Sequence, residues 1–301
     1  MNRPDVLVLG GGGVLGEAWL RSVLAGLETG TGWDLRQCDV FVGTSAGSIV
    51  AAVLAAGRRP EVAEPVARAW EDAAAAAPAD APGALRRFAG GTVAALSAPV
   101  APLAAASLQP GRAALRAAIL RRGPAPTRRI PQLAAALREL GGSFDGRLLV
   151  TAVERGSGRR VVFGAPDAPV ATVADAVVAS CSVPWVFRPI TIGGVEYVDG
   201  GAWSPANLDV APVRRGTRVL CLNPTASPRL ARDRLGAIRT FAAATSAGEA
   251  LVLRGRGAKV TIVAPDAGSV AAIGPDLFDA LRRPAVEAAG FAQGRALAAA
   301  A

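Results

Sequence analysis

Short apolar runs alternate with longer helical patterns along the chain. Val6–Leu9 is a run of β-favouring residues that ends in four glycines, and an apolar helical pattern follows over Val14–Leu27. A second run at Asp39–Val42 leads into a tight turn at residues 43–47 and then into an apolar helical pattern over Ser48–Ala56. We therefore predict two strand–turn–helix units in succession.

Further runs have the composition of strands, with helical stretches between them. Strands that alternate with helices are typical of a mainly parallel sheet with helices on both faces. The predicted fold class is therefore α/β. Residues 1–301 are predicted to form a single domain, although the length also suffices for two modest ones. The further runs are Arg147–Val153, Arg160–Phe163, Val195–Val198, Arg218–Leu222 and Lys259–Val263.

Residues 73–131 differ from the rest of the chain, because they are rich in Ala, Pro and Arg and carry no charge from Phe88 to Gly111. We predict that they form a helical cap or lid inserted into the sheet domain. Prolines and glycines interrupt the stretch and most of its apolar residues are alanine, which argues against a transmembrane helix. The arginines that follow could lie on an anionic lipid surface or form a solvated basic face. They are Arg112, Arg116, Arg121, Arg122, Arg128 and Arg129.

The chain contains no histidine, and this narrows its chemistry. Ser-His-Asp triads, Cys-His pairs and HExxH zinc sites all need imidazole. Lys259 is the one lysine among 33 basic residues, and arginine stays protonated at any working pH. Acid–base work must therefore come from Asp, Glu, Lys, Tyr or Cys, and neither a metal nor another cofactor is predicted.

A hydrophobic fraction of 51% and a charged fraction of 19% in a chain of this length indicate a folded globular protein, and its net charge is +9. The arginines are scattered among Ala, Gly and Pro, so we interpret the charge as a compositional bias and predict no nucleic-acid partner. Cys38, Cys181 and Cys221 are widely spaced and odd in number, which predicts buried, reduced thiols. The N-terminal residues lack the apolar core of a secretory signal, so a cytoplasmic protein is expected, with peripheral contact at the inner membrane face left open.

The run Gly43-Thr44-Ser45-Ala46-Gly47 matches the pattern GxSxG between a predicted strand and a predicted helix. This context is that of a nucleophile elbow, in which glycines on both sides of the serine permit a strained turn. The serine hydroxyl then projects above the sheet at a helix N-terminus, where amide dipoles favour developing negative charge. Ser45 is therefore the candidate nucleophile.

The first glycine loop admits two interpretations. Gly11, Gly13 and Gly16 match the dinucleotide fingerprint GxGxxG, which follows a strand and opens a helix. Alternatively, the backbone N–H groups of Gly11, Gly12 and Gly13 form an oxyanion hole. A dinucleotide fold expects an acidic residue about 20 residues past the glycines, whereas here the second strand leads into Ser45. The oxyanion hole is the favoured interpretation, and a nucleotide-dependent oxidoreductase is the least favoured.

A serine nucleophile needs a base, and the best candidate is Asp199 in the run Tyr197-Val198-Asp199-Gly200-Gly201. It follows a β-rich run and precedes a glycine pair that permits a tight turn. Asp-Gly is also a common hairpin signal, so a turn-forming Asp is the alternative. An ordinary Asp pKa of about 3.9 suits a base poorly, and burial beside a hydroxyl in an apolar pocket would raise it.

Four motifs resemble those of the patatin-like phospholipases in order and spacing. The resemblance runs from about Val6 to Asn207, and four motifs in order are far more specific than any one of them. The motifs are Gly11-Gly12-Gly13-Val14-Leu15-Gly16, Gly43-Thr44-Ser45-Ala46-Gly47, Ala179-Ser180-Cys181-Ser182-Val183-Pro184-Trp185-Val186-Phe187-Arg188-Pro189 and Tyr197-Val198-Asp199-Gly200-Gly201.

The resemblance implies a Ser-Asp dyad without histidine, with Ser45 as nucleophile, Asp199 as base and the loop Gly11–Gly13 as oxyanion hole. It also implies a three-layer α/β/α sandwich and an acyl hydrolase that cleaves lipid esters. Members of the family often have Arg or Lys at the position of Leu15, so a positive charge near the oxyanion or a lipid phosphate is missing there. Asn207 lies a few residues beyond the usual place after the Asp-Gly-Gly turn, and no role is carried over to it.

Esters are expected to be cleaved in preference to amides, because an alkoxide leaving group depends less on early protonation than an amine does. The apolar insertion would line an acyl-chain pocket. The alternative from a different class is a non-catalytic protein that binds lipid or a membrane surface on the same fold, using the region 112–129.

Overall fold

An eight-stranded sheet with flanking helices forms the centre of the computed structural model, which describes residues 2–59, 64–75, 109–121, 126–227 and 236–300. The strands are β1 Val6–Leu9, β2 Val40–Thr44, β3 Leu148–Glu154, β4 Arg160–Phe163, β5 Ile190–Ile192, β6 Val195–Asp199, β7 Arg218–Leu222 and β8 Lys259–Val263. The helices are α1 Gly13–Thr31, α2 Ala46–Ala55, α3 Glu64–Ala75, α4 Gln109–Arg121, α5 Pro131–Leu140, α6 Val173–Ser180, α7 Gly236–Gly255, α8 Ala267–Ile273 and α9 Arg283–Ala299.

The sheet is mainly parallel, with its antiparallel pairs gathered at one end. The strand order is β5-β6-β3-β2-β1-β7-β8, and β4 also pairs with β3. Strands β3, β2, β1, β7 and β8 run parallel to their neighbours in that order. The β3–β4, β3–β6 and β5–β6 pairs are antiparallel. This arrangement confirms the predicted α/β class.

Helices cover both faces of the sheet, and the side chains of the central strands point alternately into one of two hydrophobic cores. Leu7 and Leu9 of β1 pack into the larger core, to which α1, α2, α3, α6 and α9 contribute. Val6 and Val8 face a second core, which includes residues of α7. All four side chains are at most 2% exposed, as expected for a central strand of a sheet covered on both faces. Two cores on one sheet confirm the three-layer α/β/α sandwich.

Strands β2 and β6 pair with the same edge of β3, one beyond the other. Residues 150–153 of β3 pair with β4 along the opposite edge. The β2 pairing ends at Thr44 opposite Thr151, and Asp199 of β6 lies opposite Ala152. The carboxyl ends of β2 and β6 therefore meet head to head at two consecutive residues of β3.

The predicted strands at 6–9, 160–163, 218–222 and 259–263 coincide with β1, β4, β7 and β8. The other predicted strand boundaries differ by one or two residues, most clearly at β2, which continues to Thr44. Because β2 extends to Thr44, Ser45 follows the strand directly.

Strand β5 was not predicted, because three residues are too few to show a pattern. It joins β6 through Gly193 and Gly194, which both have positive φ, as a tight hairpin turn requires. Helix α1 continues four residues beyond the predicted Leu27, to Thr31. The three cysteines are buried free thiols, as predicted.

The predicted insertion at 73–131 is described only in part, since residues 76–108 and 122–125 lie outside the described residues. Its described portion includes α4, which packs closely on the turn between β3 and β4. A methyl group at Gly158 in that turn would overlap the carbonyl group of Ala113. Within the described ranges, no helix is both long enough and apolar enough to cross a bilayer.

Candidate active site

Ser45 lies in a sharp turn between β2 and α2. Its backbone has φ 51° and ψ −125°, a conformation that non-glycine residues rarely adopt. The flanking glycines leave no room for a side chain, because a Cβ at Gly43 would overlap Ser48 and a Cβ at Gly47 would overlap the Leu9 carbonyl. The GxSxG pattern is therefore required by close packing of the turn against β1 and α2. The turn holds the Ser45 side chain at the carboxyl end of the sheet.

Asp199 is the last residue of β6 and begins the 3-10 turn Gly200–Ala202. The backbone N–H of Gly201 donates a hydrogen bond to Asp199 Oδ1 at 2.7 Å. Gly200 sits directly against β3, where a Cβ would overlap the Thr151 carbonyl and hydroxyl. The two glycines therefore let the chain turn immediately after Asp199 while the carboxyl group stays buried at 2% exposure.

The Asp199 carboxyl group faces the Ser45 side chain, and its pKa reflects this setting. Burial raises the pKa of Asp199 to about 7, while hydrogen bonds from the Ser45 hydroxyl and the Gly201 amide oppose the rise. Burial also raises the pKa of the neighbouring Cys181 thiol well above its usual range, so the thiol is neutral. Of these side chains, Asp199 alone changes charge near neutral pH.

The glycine loop that follows β1 lies beside Ser45. A Cβ on Gly11 would come within 3.2 Å of the Ser45 Cβ. The Gly11 N–H, however, already donates to the Pro205 carbonyl at 2.8 Å. Among the described residues, the N–H groups of Gly12 and Gly13 have no backbone acceptor. The loop thus differs from the expectation of three available amides, because one of the three is committed to an internal hydrogen bond.

The first turn of α1 fixes the shape of this loop. Gly13 has φ 63°, and a Cβ there would lie 2.7 Å from the Leu277 carbonyl oxygen. Gly16 packs against Pro224, where a Cβ would approach to 3.2 Å. The Leu15 side chain is fully buried in the larger core. At the position where the family often carries a positive charge, the side chain of this protein therefore points into the core and away from solvent.

Two polar residues that were not predicted as site residues support the turns. The Ser45 N–H donates to Ser180 Oγ at 2.8 Å. The Asn207 side-chain amide donates to Thr44 Oγ1 at 3.1 Å, to the Gly200 carbonyl at 3.2 Å and to the Ser204 carbonyl at 2.7 Å. Asn207 is fully buried and bridges the end of β2 to the turn after Asp199. Its position near the Asp-Gly-Gly motif was the one sequence signal that could have indicated this role.

The arginine-rich region does not form one continuous basic face. Arg116 is only 4% exposed and donates hydrogen bonds to backbone carbonyls of the β3–β4 turn and of the turn after Asp199. Arg121 and Arg129 are exposed, whereas Arg122 and the side chain of Arg112 lie outside the described residues. At least one arginine of the set is therefore structural.

The layered sheet carries a strained serine turn with a buried carboxyl group beside it, and these features define an α/β protein with a serine–carboxyl pair at the ends of its strands. A model of the patatin-like phospholipase family matches residues 7–212, and the chain belongs to that family. Membership makes the protein a lipid ester hydrolase in the general sense.

Comparison with solved structures finds the crystal structure of VipD from Legionella pneumophila, at 15% sequence identity and a TM-score of 0.42. The alignment covers 99% of this chain and 67% of that chain. The membership of this chain in the family follows from the match over residues 7–212 and not from this similarity. The comparison with curated proteins found no match.

Proposed function

We propose that the protein is a serine acyl hydrolase that cleaves carboxylic esters of lipids, with Ser45 as nucleophile and Asp199 as general base. One observation carries the proposal: the hydroxyl of a strained serine faces a buried carboxyl group whose pKa is raised to about 7. A base is most effective when its pKa lies near the working pH, and burial brings Asp199 to that range without histidine.

The first half-reaction forms an acyl-enzyme. Ser45 Oγ attacks the ester carbonyl carbon while its proton passes to the Asp199 carboxylate. The C–O bond to the alcohol then breaks, and Asp199 returns the proton to the departing alkoxide. Water attacks the acyl-enzyme by the same route, giving a proton to Asp199. Ser45 recovers that proton as the carboxylic acid leaves.

The charged oxygen of each tetrahedral intermediate needs hydrogen-bond donors. We assign this role to the N–H groups of Gly12 and Gly13, because the loop lies beside Ser45 and these amides have no backbone acceptor among the described residues. We assign Gly11 a packing role, since its N–H is bound to Pro205 and its lack of a side chain makes room for Ser45.

The proposed substrate is the carboxylic ester of a lipid, with the insertion at 73–131 acting as a cap that contributes an acyl-chain pocket. The family assignment supports a lipid ester, and the apolar composition of the insertion suits an acyl chain. The buried Leu15 offers no positive charge to a phosphate. A panel of aryl esters of graded chain length, phospholipids and triacylglycerols identifies the preferred head group and chain.

Hydrolysis of a short-chain aryl ester by single-site variants tests the dyad. Ser45→Ala and Asp199→Asn are each expected to lower kcat by at least about a thousandfold, because the pair acts as a unit. Ser157→Ala in the β3–β4 turn and Asp175→Asn in the first turn of α6 are matched controls. Both side chains are half-buried and contact neither Ser45 nor Asp199, so both variants should keep the wild-type rate. Wild-type kcat in either dyad variant would overturn the assignment. Salt-sensitive binding to anionic liposomes without any ester cleavage would instead favour the non-catalytic lipid-binding alternative.

A further inference from the structure

Helix α4 is attached to the turn that follows Asp199 through one arginine. The Arg116 side chain is 4% exposed, and its Nε donates to the Ala202 carbonyl at 2.9 Å. Its Nη1 donates to the Gly158 carbonyl in the β3–β4 turn at 2.8 Å. A single buried guanidinium group therefore bridges two loops from a helix distant in sequence.

The same guanidinium group stacks on the next residue of the turn. The Arg116 Cζ lies 4.2 Å from the ring centroid of Trp203, and the Arg160 Cζ lies 5.0 Å from it. Arg160 is in turn fixed by a bidentate ion pair with Asp209, at 2.6 and 2.8 Å, and by a hydrogen bond to Asn207 at 3.1 Å. Trp203 thus links Arg116 to the network that holds the whole loop after Asp199.

This turn determines where the Asp199 carboxyl group can accept a hydrogen bond. Gly201, whose N–H donates to Asp199 Oδ1, lies in the 3-10 turn that ends at Ala202, the residue held by Arg116. Leu120 of α4 also packs with Val198 and Ala202 in a small apolar cluster. The turn is therefore held from its outer side by α4 and from its inner side by the Asn207 amide.

We propose that Arg116 is a positioning residue for Asp199, holding the 200–202 turn so that the Gly201 N–H stays aligned with the carboxylate. The inference rests on the proposed role of Asp199 as the base. Arg116 contacts neither substrate nor the reacting atoms, and it acts through the Ala202 carbonyl. A planar donor with several N–H groups is required, because two carbonyls and an aromatic ring are contacted at once.

Release of the turn has a consequence that a loss of stability alone would not produce. The hydrogen bond from the Gly201 N–H lowers the pKa of Asp199, so its loss raises that pKa further. The acid limb of the pH–rate profile then moves to higher pH. The other groups that face the carboxyl group are the Ser45 hydroxyl and the Cys181 thiol, and both are neutral in this range. The charged and titratable residues behind the turn are the ion pair of Arg160 with Asp209 and the buried Glu249 of α7, which accepts a hydrogen bond from the Leu208 N–H at 2.9 Å and whose pKa burial raises to about 8. All three are retained in Arg116→Gln and in its control, so the difference between the two profiles does not come from them.

Arg116→Gln and Arg121→Gln form a matched pair for the test. Arg121 lies on the same helix and donates to the Gly156 carbonyl at 3.1 Å, but it does not contact the turn after Asp199. For Arg116→Gln we expect kcat to fall about tenfold with KM within about twofold, and the acid limb to rise by about half to one pH unit. Arg121→Gln should retain the wild-type profile. Circular dichroism and thermal unfolding verify that both variants are folded.

A folded Arg116→Gln variant with the kcat and acid limb of Arg121→Gln would overturn the inference. If Arg116→Gln does not unfold cooperatively, Arg116→Lys decides the question, because lysine keeps the charge but cannot reproduce the planar fork. Its acid limb is expected to lie above that of the wild type, and a wild-type limb and kcat would again overturn the inference. Failure of the proposed function is distinguishable, since Ser45→Ala would then be as active as the wild type.

Discussion

Ser45 and Asp199 stand face to face because the strands that carry them end head to head on β3. Thr44, immediately before Ser45, lies opposite Thr151, and Asp199 lies opposite the next residue, Ala152. β2 is parallel to β3 and β6 is antiparallel to it, so their carboxyl ends approach each other. The register of β2 and β6 on β3 therefore brings the two residues of the proposed dyad together. Each residue lies at the end of a strand or directly after it, so neither depends on a flexible loop for its position.

The rate of ester hydrolysis should depend on the ionisation of one carboxyl group. Because burial raises the pKa of Asp199 to about 7, kcat/KM should fall about tenfold per pH unit below about pH 7. Initial rates with a short-chain aryl ester between about pH 5 and 9 measure the limb. A limb near pH 4, the ordinary range of Asp, would contradict a base whose pKa burial raises to about 7.

The variant Asp199→Asn should be inactive but more stable than the wild type at alkaline pH. A raised native pKa means that the folded protein retains a proton that the unfolded chain releases above about pH 4, so stability falls as pH rises towards 7. Above pH 7 the buried charge costs up to about 4 kcal/mol, and asparagine removes this cost. Urea unfolding at pH 8 should favour the variant by about 2–4 kcal/mol, with the gap shrinking towards pH 4. A variant less stable than the wild type at pH 8 would contradict the claim that the buried Asp199 carboxylate destabilises the folded protein when it is ionised.

Displacement of the glycine loop should reduce turnover more than it reduces substrate binding. Gly13→Ala places a methyl group 2.7 Å from the Leu277 carbonyl oxygen at a φ of 63°, so the loop must move. We expect kcat to fall about 100- to 1000-fold with a small change in KM, because the amides act on the transition state. Gly32→Ala is the control, since Gly32 has φ 73° at the other end of α1 with open space around it. Equal effects of the two substitutions would argue against an oxyanion role for the loop.

The second glycine of GxSxG should be irreplaceable for folding. A methyl group at Gly47 would overlap the Leu9 carbonyl at the end of β1, so Gly47→Ala should cost more than about 3 kcal/mol or abolish folding. Gly248→Ala, in the middle of α7 with open space around it, should be neutral or stabilising by up to about 1 kcal/mol. Urea unfolding compares the two. A stable Gly47→Ala variant would mean that the turn is looser than its packing indicates.

The sequence was sufficient for the α/β class, most of the strands and the serine turn, because each depends on local patterns. GxSxG between a strand and a helix requires only nearby residues, as the packing of Gly43 and Gly47 illustrates. The choice of Asp199 needed the absence of histidine, the glycine pair that follows it and the family resemblance together, since a Tyr-Val-Asp-Gly-Gly run alone equally describes a hairpin turn. Its pairing with Ala152 joins residues far apart in the chain, and no local pattern specifies that register.

The hydrogen-bond partners of groups within the site could not be predicted from the sequence for the same reason. Three glycines predict three available amides, yet the Gly11 amide is bound to Pro205, a residue nearly 200 positions away. A run of arginines predicts a solvated or lipid-facing surface, yet Arg116 is buried against Ala202. Both outcomes depend on loops that only the folded chain brings together.

Covalent trapping of the nucleophile tests the central claim most directly. A fluorophosphonate reacts with an activated serine hydroxyl, and cleavage at Arg36 and Arg58 releases a peptide that contains Ser45 and Ser48. Fragmentation of the labelled peptide should place one adduct on Ser45, with ester hydrolysis lost in proportion to labelling and no adduct in Ser45→Ala. An adduct on any other residue, or ester hydrolysis that persists in the fully labelled protein, would contradict the account.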